Sequence, residues 1–137
     1  MIGYSELAEY VIMRSAEKDY PMSNLKLQKT LFYCQAYHIA MFKKHLINNK
    51  FEAWKHGAVL RPVYFQYNKF GASPIEIFNA TRLQELRSML DDYLIKFLDI
   101  IIDKFGPMSA EELRDKNHRE LPWKVARGNC SPDEICT

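Results

Sequence analysis

Between Asn24 and Lys44 the chain repeats apolar residues at helical intervals, and this stretch limits the fold more than any other. Leu27, Leu31, Cys34, His38 and Met41 recur at spacings of 4, 3, 4 and 3, the rhythm of one face of an α-helix. Ser23 or Asn24 supplies the N-cap. Phe32, Tyr33 and Ile39 widen the apolar side, which predicts a helix buried on more than one face. A helix of that kind needs several others around it. The expected fold is therefore mainly α: a compact single-domain helical bundle over residues 1–137, with two long core helices.

The rest of the chain divides around this helix. A first helix is expected from about Ser5 to Lys18, with Ser5 as N-cap, ended by Tyr20-Pro21. Residues 46–60 change character. Asn48-Asn49-Lys50 is a turn, Phe51-Glu52-Ala53-Trp54 alternates, and His56-Gly57 breaks the pattern, which reads as a short irregular or hairpin insert. Pro62 suits the first position of a short helix that ends by Gly71. Leu83, Leu86, Leu90, Tyr93, Phe97 and Ile100 then repeat at 3, 4, 3, 4 and 3, closing at Gly106-Pro107. This reads as one long core helix or, alternatively, as a coiled-coil-like dimer face. Ser109 and Glu112 form a capping box for a short helix through Arg114. Asn117 to Trp123 reads as a turn into one helical turn. A second box, Ser131 to Glu134, announces a helix three residues before Thr137.

Five glycines and six prolines are few for 137 residues, which favours helices over turn-rich β structure. Aromatic residues make up 13%, so an aromatic-rich core is expected. A net charge of +2 supplies no strong field for nucleic acid. Lys26, Lys29, Lys43, Lys44, Lys50, Lys55 and Arg61, interleaved with Tyr33, Tyr37 and Trp54, would still make a basic aromatic surface if all were exposed. Three cysteines without a C-x-x-C pair point to reduced thiols and a cytoplasmic location. MIGYSELAEY has no apolar run of a signal peptide, and Tyr93–Phe105 is too short and too charged to span a bilayer.

No G-x-S-x-G elbow, P-loop, H-E-x-x-H or Rossmann glycine pattern is present, so no catalytic residue, metal ligand or cofactor is assigned. His38 reads as a satisfied core histidine, His45 as a cation at a helix end, and Cys34 as a small buried hydrophobe. Asp91-Asp92 and Glu111-Glu112 read as exposed helix positions or capping turns. His56 and His118 differ, because each sits near a tryptophan in a polar loop. Tryptophan and arginine in loops make good anchors for a protein partner, or the tryptophans plug the core beneath.

Four segments, in order, resemble one family. They are Asn24-Leu-Lys-Leu-Gln-Lys-Thr-Leu-Phe-Tyr33, Phe51-Glu-Ala-Trp-Lys-His-Gly-Ala-Val59, Arg61-Pro-Val-Tyr64 and His118-Arg-Glu-Leu-Pro-Trp123. Together they are similar to the Panacea domain of SocA-like antitoxins and phage-associated proteins, over residues 4–136. Two positions depart from that pattern. Ala58 stands where proline is usual, and Asn117 where threonine is usual.

The resemblance implies an antitoxin-type binding module, not an enzyme. It would neutralise a cognate protein toxin by direct contact, and would also serve as an adaptor to an ATP-dependent protease if it follows some members. The residues expected at the partner-binding face are Trp54, Lys55, His56, Gly57, Arg61, Tyr64, His118 and Trp123. The alternatives are a DNA-binding regulator of its own operon and a small metal-dependent hydrolase using His56 and His118. Either a monomer or a homodimer is compatible with this reading, and no membrane partner is expected.

Overall fold

The second helix is the axis on which the rest of the chain packs. In this computed structural model, which describes residues 1–119, α1 spans Tyr4–Glu17 and α2 Asn24–Phe42. A hairpin follows, β1 Glu52–Trp54 and β2 Gly57–Val59, then α3 Arg61–Gln66 and a 3-10 turn at Asn68–Phe70. α4 is Ala80–Met89, α5 Asp92–Phe105 and α6 Ala110–Arg119. α1, α3, α5, α6 and β2 all touch α2. The mainly helical architecture is the one expected, and the insert is an antiparallel hairpin with Glu52 opposite Val59, Ala53 opposite Ala58 and Trp54 opposite Gly57.

Burial explains the axial role of α2. Leu27, Leu31 and Cys34 are fully buried, and the side chain of Ser23 accepts the Lys26 N–H at 3.2 Å. The helix stops where Lys43 turns left-handed at φ 59°. His38 is the satisfied core histidine expected, with Nδ1 2.7 Å from the Lys44 carbonyl and Nε2 3.2 Å from the Tyr93 hydroxyl. His45 stands just past the end of α2, with its Nδ1 3.1 Å from Gln35 Nε2. Cys34 fits the reading of a buried hydrophobe, and burial pushes its thiol up to about 12, far from nucleophilic use. The aromatic core is real: Tyr33 stacks on Phe105 with ring centroids 4.5 Å apart.

The seam from Leu83 to Ile100 is not one helix. Leu90 and Asp91 adopt extended angles, ψ 143° and 149°, and split it into α4 and α5. Asp91 opens the new helix, its carbonyl accepting from Leu94 and Ile95 at 3.0 and 3.1 Å. Asp92 follows in the first turn, where a carboxylate suits the helix dipole. The acidic pair is thus a helix start, and it outweighs an apolar rhythm that continues across it. The break also re-aims the face. Leu83, Leu86 and Phe97 are buried, while Tyr93 and Ile100 are exposed.

α1 is held to its neighbours by polar cross-links at the rim of the core. The Tyr10 hydroxyl donates to Asp99 on α5 at 2.7 Å, Arg14 pairs with the same carboxylate, and Arg82 on α4 grips Glu9.

The Ser109 capping box forms as expected, with reciprocal bonds to and from Glu112 of 3.1 Å. The helix it starts runs further than expected. Asn117 and His118 lie on the last turn of α6, not in a turn beyond it, because Leu113 and Asn117, four residues apart, both bury against the fold. Trp123, Cys130, the Ser131 box, Cys136 and Thr137 lie outside the described residues.

Candidate functional site

One carboxylate joins the hairpin to α3. Glu52 accepts from Arg61 Nε at 2.8 Å, from a terminal Arg61 nitrogen at 2.9 Å and from the Trp54 indole N–H at 3.0 Å. The fork-to-fork geometry fixes the guanidinium plane. Arg61 holds the Glu52 carboxyl below the usual carboxylate range, with the Trp54 bond adding to the effect. The guanidinium carbon lies 5.7 Å from the Trp54 ring centre. Tyr64 meets Trp54 edge-on at 4.9 Å, and Phe65, 56% exposed, extends the aromatic row. Beside this platform runs a groove of about 490 Å³ lined by Asn24, Gln28, Trp54, His56 and Tyr64, among others. Lys55 and His56 form the exposed hairpin tip.

The platform stands on buried polar groups of α2. Asn24 Nδ2 donates to the Tyr64 carbonyl at 2.9 Å, and Gln28 accepts the Leu60 N–H at 2.8 Å while donating to Asn24 at 2.9 Å. Lys29 Nζ donates to the Ala58 carbonyl at 2.8 Å, and Asn117 of α6 accepts the Ala58 N–H. Lys26 reaches the other way, to the Gly106 carbonyl at the end of α5. The polar members of the first segment are therefore clamps on backbone, not contacts for a ligand. This corrects the basic aromatic surface: Lys26, Lys29 and Tyr33 are all buried and cannot meet a nucleic acid.

Burying a lysine amine has a measurable consequence. Desolvation brings the Lys29 amine down to about 7. The unfolded lysine titrates near ~10.4, so above pH 7 the unfolded chain binds more protons and stability rises with pH. Cys34 works in the opposite sense above about 8.5, the unfolded thiol value. Between pH 7 and pH 8.5, wild type should gain roughly 1–2 kcal/mol relative to Lys29→Met in urea unfolding. Parallel behaviour of the two proteins would contradict it.

His56 and His118 come within electrostatic reach of each other. Burial, then Arg114, lowers both below the usual histidine value; Lys55 and Lys29 contribute at His56, and Lys29 and His56 at His118, with Asp115 opposing there. Among the described residues, no three His, Cys, Asp or Glu side chains are grouped as a metal would require. No helix of the described residues is long and apolar enough to cross a membrane.

The structure thus brings half-buried Trp54 and Tyr64 together with exposed Arg61 into one platform, with Lys55 and His56 at its edge. Gly57 lies buried beneath, and His118 sits half-buried behind it on α6. Sequence reasoning missed Glu52 as the organiser, Phe65 as the outer ring, and the clamp itself.

The family model described as "Antitoxin SocA-like, Panacea domain" matches residues 27–124, which takes in Gln28 and Lys29 of the α2 clamp, the hairpin, α3 and α6. The chain belongs to this Panacea family. Antitoxin SocA of Caulobacter vibrioides (strain NA1000 / CB15N) is 30% identical over 128 residues, covering 87% of this chain and 67% of that protein. No solved structure matches.

The two departures from the Panacea pattern meet in space. Ala58 has an N–H that a proline would lack, and Asn117 supplies the oxygen that accepts it. That N–H points towards α6, so a proline at this position would leave Asn117 without its donor. The hydrogen bond makes the two positions interdependent. Ala58→Pro and Asn117→Thr should each cost stability alone. The double variant should recover about 1–3 kcal/mol of the summed loss in a double-mutant cycle. Simple additivity would separate the two positions.

Proposed function

We propose that this chain is an antitoxin-type binding module, without catalytic activity of its own, that neutralises a cognate protein toxin by direct contact in the cytoplasm. The observation that carries the reading is the pre-assembled platform of Trp54, Arg61, Tyr64 and Phe65, with Lys55 and His56 at its edge. Tryptophan, tyrosine and arginine dominate binding hot spots. Here Glu52 and the buried clamp hold them in place before a partner arrives, which lowers the ordering cost of binding. Gly57 contributes the turn that places the tip, His118 stands behind it, and Trp123 is proposed as a further partner contact. Membership of a SocA-like antitoxin family supports a toxin as the partner. Steric occlusion of the toxin suffices as mechanism. Delivery to an ATP-dependent protease would add to occlusion, and neutralisation that persists in a protease-deficient host would show that delivery is not required.

The test is co-expression with the protein encoded by the adjacent gene. That protein should arrest growth alone and be tolerated with wild type. Arg61→Glu should abolish the rescue, since it places a second carboxylate against Glu52, and His56→Ala should weaken it. A neighbour that is harmless alone, or full rescue by both variants, removes the proposed face.

A further inference from the structure

A second exposed surface lies at the other end of α2. Met41 and Phe42 on α2 face Tyr93, Phe97 and Ile100 on α5 across a groove of about 450 Å³. Met41 is 62% exposed, Tyr93 46% and Ile100 63%, while Phe97 forms the buried floor. Phe42 stands edge-on to Tyr93 at 5.2 Å and to Phe97 at 5.7 Å, which makes a stiff aromatic wall. Tyr93, Phe97 and Ile100 follow each other at spacings of 4 and 3, the ridge along which another helix packs. Contiguous exposed apolar residues of this kind on a folded domain mark an interaction site.

We propose that this groove docks an amphipathic helix of a partner protein whose apolar stripe is flanked by acidic residues. Charge decides the occupant. Among the described residues, the charged side chains lining the groove are Lys96 and Lys104, with Lys104 Nζ 5.9 Å from the Tyr37 ring. Two of the three acids of the same helix face elsewhere: Asp99 binds Tyr10 and Arg14, and Asp103 binds Lys18. A second copy of this chain would bring Lys96 and Lys104 against their own kind, with no carboxylate among the described lining residues to meet them, which disfavours self-association here. An acidic helix satisfies both the apolar ridge and its cationic rim. The surface is separate from the Trp54 platform. Gln28 lines the platform groove and Met41 this one, about 20 Å apart along α2. The proposal therefore stands or falls independently of toxin neutralisation.

The test uses the full chain and two synthetic helical peptides with the same leucine stripe, one flanked by glutamate and one by lysine. The acidic peptide should bind at least about tenfold more tightly, and its affinity should fall with added salt. Ile100→Glu should reduce its binding about tenfold or more with an unchanged melting temperature, and should leave rescue from the toxin intact. Lys96→Glu combined with Lys104→Glu should reverse the preference between the peptides. Absence of binding by the acidic peptide, equal binding of both, or indifference to Ile100→Glu would overturn the proposal. So would a dimer of the chain alone that Ile100→Glu dissolves.

Discussion

Gly57→Ala should destabilise the fold by about 4 kcal/mol or more, a large part of the whole stability of a domain this size. Gly57 sits at φ 114°, where a side-chain-bearing residue is strained by about 1–3 kcal/mol. Space adds a second cost. A Cβ there would stand 2.6 Å from Asn117 Oδ1 and 2.7 Å from Lys29 Cε. Both residues are fully buried and hold the Ala58 backbone, so neither can swing aside without releasing a hydrogen bond. Urea unfolding should show the loss, and circular dichroism of the surviving protein should remain helical. A loss below about 1 kcal/mol would mean that Lys29 and Asn117 are not held as described.

Gln28→Ala should cost about 3–4 kcal/mol and lower the melting temperature by about 10 °C. The side chain accepts the buried Leu60 N–H and donates to Asn24, which in turn holds the Tyr64 carbonyl. Its loss orphans one buried backbone donor and loosens the anchor of α3. Because Tyr64 belongs to the platform, the variant should also bind the toxin more weakly than its remaining stability alone would account for. Gln28→Glu separates the two effects. It keeps the acceptor for Leu60 but loses the donor to Asn24, and it should retain more stability than alanine. Equal melting temperatures for wild type and Gln28→Ala would dismiss the clamp.

Some of this architecture was legible in the residues. The seam of α2 as far as His38, the Ser109 box, a helix start at Arg61-Pro62 and the hairpin around Gly57 all rest on local rules of spacing, capping and turn chemistry and formed as expected, whereas Met41 at the end of the seam is exposed. The joint at Leu90–Asp91 was hidden because a 3-4 apolar rhythm survives a helix break, whereas the Asp91-Asp92 start signal is short. The extension of α6 through His118 was hidden too, because it depends on Asn117 meeting Ala58, 59 positions apart. Trp54 and Arg61 were expected at the site on residue type. Their organiser, Glu52, and the clamp of Asn24, Gln28 and Lys29 were not. Lysine and glutamine on a helix normally mean solvent, and only tertiary packing turns them inward. A signal was present even so: polar Asn24, Gln28 and Gln35 recur at spacings of 4 and 7.

The central claim is that the platform around Arg61 meets the toxin, and direct titration tests it. Purified wild type and Arg61→Glu are each titrated with the protein encoded next door, and their melting temperatures are compared in the same buffer. Tight stoichiometric binding by wild type is expected. Arg61→Glu should lose about a hundredfold in affinity while melting within a few degrees of wild type. Equal affinity of the two proteins for the toxin would contradict the account.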